Sequence, residues 1–313
     1  MPRFYSADAV HAALDTPSLV TALERAFAAG AHAPLRHAHS LGKDDTLLLM
    51  PAWRDAAGAS RGALGVKLVT VMPGAAALGG STVSALYVLL DRATGEPRAV
   101  LDGEALTLRR TAAASVLAAR YMARPDARSL LVIGTGKLAP YMLRAYREMR
   151  PGLSRIALWG RNAAAAHALA AGLHAEGMRV HVETDLQDAL RGADIVSCAT
   201  TATAPVVRGE WLCDGAHLDL VGGFTRAMRE VDDAAVARAR IVVDTYAGAL
   251  AEAGDLVVPL DEGVITRDRI VAELAELVRG QRQGRTTDAE ITLFKSVGTA
   301  IEDLAAADLV VGA

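Results

Sequence analysis

The chain has 313 residues, of which 52% are hydrophobic and 4% aromatic, and its formal net charge at pH 7 is −3. This length and apolar content predict two domains with sizeable cores, and the weak negative charge gives no reason to expect nucleic acid as a partner. No apolar run is long enough to span a membrane, the N-terminus lacks a signal-type apolar segment, and the two cysteines have neither redox nor zinc spacing. We therefore expect a cytoplasmic protein with no metal.

The first third of the chain predicts an α+β domain. Helices are expected at residues 6–14 and 17–29 and from about 104 to 122. Between them, four β-type runs form an antiparallel meander, at residues 46–53, 63–72, 82–91 and 97–101. His37 and His39 alternate around Ala38, and without a third ligand they favour a polar strand face over a metal site.

Two basic residues in this part each allow two interpretations. Lys67 interrupts an apolar strand, on the face that it shares with Gly65 and Val69, so it is either a snorkelling surface residue or a buried cation. Arg110 lies in an alanine-rich helix next to Thr111. It belongs either to a solvated helix edge or to a forked clamp for a carboxylate. Periodicity does not choose between these alternatives.

Residues 129–139 predict a nucleotide site. A short β-branched run ends in a Gly-x-Gly-x-x-Ala turn and a helical pattern follows at once, which is the context that the dinucleotide fingerprint requires. The glycines allow a tight turn and close approach to a pyrophosphate, and the small third residue lets the helix pack on the strand. We assign to cofactor binding the six residues of this turn, Gly134, Thr135, Gly136, Lys137, Leu138 and Ala139.

Apolar strands alternate with amphipathic helices after this turn. Strands are expected at residues 130–133, 156–159, 180–182, 195–198, 218–221 and 241–243, and helices at 141–149, 163–175, 186–190 and 232–239. This alternation predicts an α/β fold with a Rossmann-type doubly wound parallel sheet. We expect the dinucleotide domain to span 121–294. Residues 1–120 would form the α+β substrate and dimerisation domain together with 295–313, and a C-terminal helix is expected over 294–305.

The end of the second predicted strand indicates which dinucleotide binds. An acidic residue would bind the ribose 2′-OH of NAD there, but the strand ends in Gly160-Arg161-Asn162. A small residue followed by a guanidinium leaves room for a 2′-phosphate and provides a donor for it. Alternatively, Asn162 only caps the next helix and Arg161 points into solvent, although both roles are compatible. NADP(H) is therefore favoured, and NAD(H) remains possible.

Several segments together resemble the ornithine cyclodeaminase/mu-crystallin family over essentially the whole chain. The most specific is Leu-Thr-x-x-Arg-Thr-Ala-Ala at residues 106–113, and the others lie at 49–52, 65–69, 133–136 and 296–304. The family includes cyclodeaminases, ketimine reductases, alanine dehydrogenases and mu-crystallins that bind NADPH. The resemblance implies a homodimer joined through the sheets of the front domain.

The resemblance also implies roles for individual residues. The substrate carboxylate would be clamped by Arg36, Lys67 and Arg110, with Lys67 and Arg110 as the catalytic pair and Lys67 polarising an imine. Further substrate-side and nicotinamide-side positions follow in the same way: Thr82 and Val297 for the substrate, and Thr111, Thr200, Thr201 and Ala202 for the nicotinamide half.

One position departs from the cyclodeaminase pattern. Cyclodeaminases carry an aspartate after a Gly-Gly or Gly-Ala pair, and here Gly222-Gly223 is followed by Phe224. Ammonia release and ring closure need a carboxylate that shuttles protons, whereas reduction of a cyclic imine only needs an oriented, protonated imine. Phe224 would instead provide an apolar wall for the substrate ring, although Thr225, Arg229 or a water could replace the acid.

We therefore predict a reductase of cyclic imino acids, Δ1-pyrroline-2-carboxylate or Δ1-piperideine-2-carboxylate, that forms proline or pipecolate. Ornithine cyclodeaminase, an alanine dehydrogenase-like enzyme and a non-catalytic NADPH-binding protein remain alternatives. The last is disfavoured because three cations that converge in a cleft are costly unless an anion binds there.

Overall fold

A computed structural model of the protein describes residues 1–42, 44–56 and 62–312. The chain divides into unit 1, which comprises Met1–Ala113 and Thr299–Ala313, and unit 2, which comprises Ala114–Gly298. None of the helices in the described ranges combines the length and the hydropathy that crossing a bilayer requires.

Unit 1 is built on a six-stranded sheet that is antiparallel except at one edge. Its elements are β1 (Arg3–Tyr5), α1 (Ala7–Ala13), α2 (Thr16–Ala29), β2 (His37–Gly42), β3 (Asp45–Arg54), β4 (Ala63–Val71), β5 (Val83–Leu90), β6 (Pro97–Asp102), the start of α3 (Gly103–Met122) and α11 (Ala300–Val311). The strand order is β1-β6-β5-β4-β3-β2, and β1 pairs with β6 in parallel. The predicted antiparallel meander is confirmed.

The two faces of this sheet have different environments. Lys67 lies opposite Met50 on one side and Tyr87 on the other, and all three side chains are buried. The next row, Leu49, Leu68 and Leu86, points to the other face, where Leu68 and Leu86 are exposed. Because side chains alternate along a strand, one face forms a core and the other is left open.

Unit 2 contains an eight-stranded parallel sheet. Its elements are β7 (Ser129–Ile133), α4 (Ala139–Met149), β8 (Arg155–Trp159), α5 (Ala163–Ala175), β9 (His181–Val182), α6 (Leu186–Arg191), β10 (Ile195–Cys198), β11 (His217–Leu220), α7 (Asp233–Arg238), β12 (Arg240–Val243), α8 (Tyr246–Glu252), α9 (Gly254–Asp261), β13 (Ile270–Glu273), α10 (Leu274–Val278) and β14 (Thr292–Lys295). The strand order is β13-β12-β14-β11-β10-β7-β8-β9.

The direction of winding reverses next to β7. The chain moves outward from β7 through β8 to β9, and then returns to the other side of β7 with β10 and β11. In open parallel sheets ligands bind at such a switch point, beyond the carboxyl ends of the strands. The predicted Rossmann-type doubly wound sheet is confirmed, and the glycine turn after β7 lies at this position.

The C-terminal segment differs from the prediction. A helix was expected from residue 294, but Phe294 and Lys295 belong to β14, and the helix begins only at Ala300. The strand fills the position between β11 and β12 and is completely buried. Gly298 has a φ of 81°, a left-handed conformation that interrupts helical geometry, so strand and helix remain separate elements.

Candidate functional site

A buried cationic cluster lies on the covered face of the sheet in unit 1. Lys67 is 2% exposed and Arg110 is 5% exposed. Both side chains reach α11, where Asp303 bridges them: its Oδ2 lies 2.8 Å from the Nζ of Lys67, and its Oδ1 accepts a 3.1 Å hydrogen bond from the Nε of Arg110. The Nη1 of Arg110 also donates to the Oε2 of Glu302 at 2.7 Å. Lys67 is therefore a buried cation and not a snorkelling surface residue.

The cluster balances two positive charges with two negative charges, which corrects the expectation that a bound anion is needed to offset the buried cations. An unpaired buried ion is expensive, but Glu302 and Asp303 compensate Lys67 and Arg110 within the protein. The cost of burial alone is thus no longer evidence that a ligand binds there.

Burial and the neighbouring charges together bring the pKa of Lys67 close to neutral pH. Burial lowers the pKa of Lys67 to about 8 against the attraction of Asp303, and the positive charges of Arg110 and Arg36 lower it further. Burial by itself would raise the pKa of Asp303, but Lys67 and Arg110 hold it below its ordinary value. Lys67 can therefore donate a proton near neutral pH while Asp303 stays ionised.

A tyrosine ring closes one side of this cluster. Tyr87 is completely buried and its ring lies over Gly65, where an added Cβ would be only 2.3 Å from the phenolic oxygen. Burial raises the pKa of Tyr87 well above its ordinary value. The hydroxyl finds no hydrogen-bond partner in the described part of the chain. Glycine at position 65 is thus needed for the ring to pack next to Lys67.

The remaining predicted substrate residues, and Thr111 from the predicted nicotinamide side, are distributed over both units. In unit 1, Arg36 is half-buried before β2, Thr111 is buried in α3, and Thr82 lies in an exposed turn where its carbonyl accepts from the N–H of Met72. In unit 2, Phe224 is half-buried after β11 and packs against the core, and Val297 is buried. Among the predicted substrate residues, Arg36 and Arg110 are the ones whose positive charges lower the pKa of Lys67.

A cleft of about 470 Å³ lies at the switch point of unit 2. Nine of the predicted cofactor residues line it, namely Gly134, Thr135, Gly136, Gly160, Arg161, Asn162, Thr200, Thr201 and Ala202. The other three predicted at the glycine turn are placed differently: Lys137 is exposed, Leu138 precedes α4, and Ala139 is buried as the first residue of α4.

Two glycines allow the turns around the cleft to approach one another. A Cβ at Gly134 would lie 2.5 Å from the carbonyl oxygen of Ala199, and one at Gly160 would lie 2.5 Å from the Cγ2 of Thr135. Gly134 also has a φ of 123°, a backbone conformation that residues with a Cβ atom rarely adopt. The cleft therefore has the backbone-lined shape that a pyrophosphate requires.

Arg161, the donor that the sequence indicates for a 2′-phosphate, lies at the edge of the cleft. The Oδ1 of Asn162 accepts a 3.1 Å hydrogen bond from the N–H of Ala165 and so caps α5. Arg161 is exposed and lines the cleft, so helix capping leaves its guanidinium available to a ligand. Among the described residues, no three His, Cys, Asp or Glu side chains are grouped as a metal site would need.

Comparison with known proteins identifies the family of the chain. The model of the ornithine cyclodeaminase/mu-crystallin family matches residues 3–312. The chain belongs to this family. A Δ1-pyrroline-2-carboxylate reductase from Paracoccus denitrificans is 39% identical over 83% of this chain and 80% of the relative.

Two solved structures are similar to this chain over 99% of its length. The Δ1-pyrroline-2-carboxylate reductase of Thermococcus litoralis, in complex with NADH and L-proline, has a TM-score of 0.93 at 35% identity and covers 99% of this chain and 96% of its own. An archaeal alanine dehydrogenase dimer with bound NAD has a TM-score of 0.91 at 29% identity, with 99% and 95% coverage. The resemblance predicted from the motifs is confirmed.

Sequence reasoning missed Glu302 and Asp303 as members of the site. Both lie in the family segment 296–304, but acidic residues are common in the first turn of any helix, where they complement the helix dipole. The sequence does not show that both carboxylates are fully buried. Carboxylates are almost never fully buried without partners, so this burial is what identifies Glu302 and Asp303 as members of the site.

Proposed function

We propose that this protein is an NAD(P)H-dependent reductase that converts Δ1-pyrroline-2-carboxylate or Δ1-piperideine-2-carboxylate to proline or pipecolate. The observation that carries the proposal is Phe224, an apolar ring directly after Gly222-Gly223, where the cyclodeaminase pattern has an aspartate. Imine reduction does not need that carboxylate. Relatives named Δ1-pyrroline-2-carboxylate reductase and a solved one holding NADH and L-proline support the same activity.

In this proposal unit 1 binds the imino acid. Arg36 and Arg110 attract its carboxylate, and a guanidinium can hold a carboxylate with two parallel hydrogen bonds. Lys67 donates a proton or hydrogen bond to the imine nitrogen, which suits an ammonium with a pKa of about 8. The ring carbon gains a hydride, the nitrogen gains a proton, and the C=N double bond becomes a single bond.

Unit 2 binds the dinucleotide. When bound, reduced nicotinamide supplies the hydride. The glycine turns at Gly134 and Gly160 provide the cradle for the pyrophosphate, because a Cβ at either position would collide with the neighbouring turn and force the walls of the cleft apart. We propose NADP(H) as the preferred cofactor, since Arg161 stands at the lip of the cleft and the sequence has no carboxylate at the end of β8.

The first test is a paired assay with the full chain. NADPH oxidation is followed with each cyclic imine, and ammonia release is followed with L-ornithine and NAD⁺. We expect turnover of a cyclic imine and none of ornithine. Ammonia release without net change of the cofactor would establish a cyclodeaminase instead, and NADH formation from L-alanine would establish a dehydrogenase.

The second test concerns the cofactor. Replacing Arg161 by Ser should reduce kcat/KM for NADPH by about 10- to 100-fold, because one charge-assisted contact to a phosphate is worth about 1.5–3 kcal/mol. The value for NADH should change little. Arg155→Ser is the matched control, since Arg155 begins the same strand and pairs with Glu183 away from the cleft. An equal loss for both cofactors would refute the NADP preference.

We also propose a homodimer joined through the open face of the unit 1 sheet. Leu68 and Leu86 are 36% and 46% exposed there and lie in one row with Leu49. A second copy would remove this apolar row from water. Sedimentation velocity should give a dimer that Leu68→Lys weakens, whereas Val264→Lys, at an exposed position in unit 2, should not. A wild-type monomer would refute the proposal.

A further inference from the structure

A fully buried carboxylate, that of Glu230, connects two turns at the carboxyl edge of the unit 2 sheet. Its Oε1 accepts hydrogen bonds from the backbone N–H and the hydroxyl of Thr200, at 2.8 and 2.9 Å. Its Oε2 accepts from the N–H groups of Gly222 and Gly223, at 3.0 and 3.2 Å. One side chain thus holds the turn after β10 and the turn after β11 together.

The two turns are in direct contact at a glycine. A Cβ at Gly222 would lie 2.1 Å from the carbonyl oxygen of Thr200 and 2.2 Å from its nitrogen. On its other side, the Thr200 turn contacts the nucleotide turn, since a Cβ at Gly134 would meet the carbonyl oxygen of Ala199. Any displacement of Glu230 is therefore passed through backbone contacts to the wall of the cleft.

Glu230 is held in place by two other buried ionic side chains. The Oδ1 of Asp255 accepts from the backbone N–H groups of Glu230 and Val231, at 2.6 and 3.2 Å. The Nζ of Lys295 lies 2.8 Å from the Oδ2 of Asp255 and 3.8 Å from the Oε2 of Glu230. All three side chains are completely buried.

Burial raises the pKa of Glu230 to about 7, and the positive charge of Lys295 opposes this rise. Burial alone would lower the pKa of Lys295, but Asp255 and Glu230 raise it above its ordinary value. Such a group of ions adds little stability compared with an apolar replacement, because the desolvation of each charge offsets their attraction. Stability is therefore a poor explanation for its presence beside the cleft.

The Thr200 turn lines one half of the cleft. Arg161 at the end of β8 marks the end of the cleft for the adenosine ribose, and the glycine turn after β7 marks the pyrophosphate. The cleft continues on the other side of β7 with residues 199–203. A dinucleotide that follows this course places its nicotinamide half over the Thr200 turn.

We propose that Glu230, anchored by Lys295 and Asp255, is a positioning residue that fixes the Thr200 turn against the nicotinamide half of the cofactor. This inference rests on the proposed function, because it requires a dinucleotide in the cleft. It predicts that disturbing Glu230 weakens binding of the complete dinucleotide but not of a fragment that lacks nicotinamide.

The test compares Glu230→Gln with Asp194→Asn in the full chain. Asp194 precedes β10 at the opposite edge of the sheet, where it pairs with Arg124 and accepts from the N–H groups of Arg128 and Ser129 at 2.8 and 2.9 Å. Each variant thus removes a carboxylate that joins neighbouring segments. Dissociation constants are measured by calorimetry for NADPH and for adenosine 2′,5′-bisphosphate, and melting temperature is recorded without ligand.

We expect Glu230→Gln to raise the Kd for NADPH at least tenfold and to leave the Kd for the bisphosphate within twofold. Asp194→Asn should lower the melting temperature without changing either constant by more than twofold. Equal weakening of both ligands by Glu230→Gln, or no weakening of NADPH, would overturn the inference. If the wild-type chain binds neither NADPH nor NADH, the proposed function fails together with the inference. If the wild type binds a dinucleotide but the Glu230 variant does not behave as expected, only the inference about Glu230 fails.

A second variant covers the case in which Glu230→Gln does not fold. Gly222→Ala leaves all charges in place but pushes a methyl group into the backbone of Thr200, so it should weaken NADPH and spare the bisphosphate in the same way. Gly172→Ala on α5 is its control, because an added Cβ there meets nothing within 4 Å. Unchanged NADPH binding in folded Gly222→Ala would also overturn the inference.

Discussion

Asp303 offers the sharpest test of the proposed chemistry, because a single carboxylate contacts both cations. Asp303→Asn keeps the size and shape of the side chain and removes only its negative charge. Asp303 raises the pKa of Lys67. The variant should therefore lower that pKa, and a reaction that needs protonated Lys67 should lose activity at a lower pH than in the wild type.

The distance between the charged atoms sets the size of the effect. At 2.8 Å and an effective dielectric constant of about 20, the lost attraction is about 6 kcal/mol, or roughly 4 pKa units. Relaxation and water entry reduce this upper bound, and we expect a fall of at least one unit from the value of about 8. At pH 8 the protonated fraction of Lys67 would then drop from about one half to about one tenth or less.

The assay is kcat/KM for the cyclic imine between about pH 6 and 9.5. In the wild type the value should be constant below pH 8 and decline about tenfold per unit above it, and Asp303→Asn should move this decline to lower pH. Glu302→Gln is the matched control: it removes a charge from the same helix but contacts Arg110, so it should raise KM and keep the pH profile. Superimposable profiles for folded Asp303→Asn and wild type would refute the role of Lys67.

Four further predictions, one for each substitution, concern stability and are measured by chemical denaturation. Gly65→Ala should lower the free energy of unfolding by about 1–3 kcal/mol, because the added methyl group overlaps the ring of Tyr87. Tyr87→Phe should lower it by less than about 0.5 kcal/mol, because the hydroxyl has no partner among the described residues. A larger loss in Tyr87→Phe would contradict this. Asn162→Ala should cost about 1 kcal/mol through loss of the cap of α5, and no loss would show that the cap is redundant. Burial lowers the pKa of His217 to about 3, so the contribution of the neutral imidazole to stability is complete above about pH 6.5 and is lost as the pH falls towards 3. His217→Gln should flatten the dependence of the unfolding free energy on pH in this interval. An unchanged slope would exclude His217 as the cause of that dependence.

Much of unit 2 could be predicted from the sequence because local signals agree there. Helix α5 was expected at residues 163–175 and is found at Ala163–Ala175, where Asn162 provides a cap and an apolar strand ends just before it. Strands β13 and β14 were missed. Each has only four residues, and β14 ends in Lys295, a charge that becomes compatible with a buried strand only through Asp255 and Glu230.

In the cationic cluster of unit 1, only the cations were predictable from the sequence. Strand alternation placed Lys67 on a face with Gly65 and Val69, but it could not show whether that face was covered. The answer depends on Asp303, which is 236 residues away in sequence. No local pattern encodes a pair with that separation, so the charge balance of the cluster became visible only in the folded chain.

The placement of α11 has a consequence for synthesis on the ribosome. Unit 2 is one uninterrupted segment, whereas the sheet of unit 1 receives its covering helix from residues made almost 190 positions later. Unit 2 can therefore acquire its fold while translation continues. The earlier strands must wait for the residues of α11, and until these have been synthesised Lys67 lacks its counter-ion Asp303.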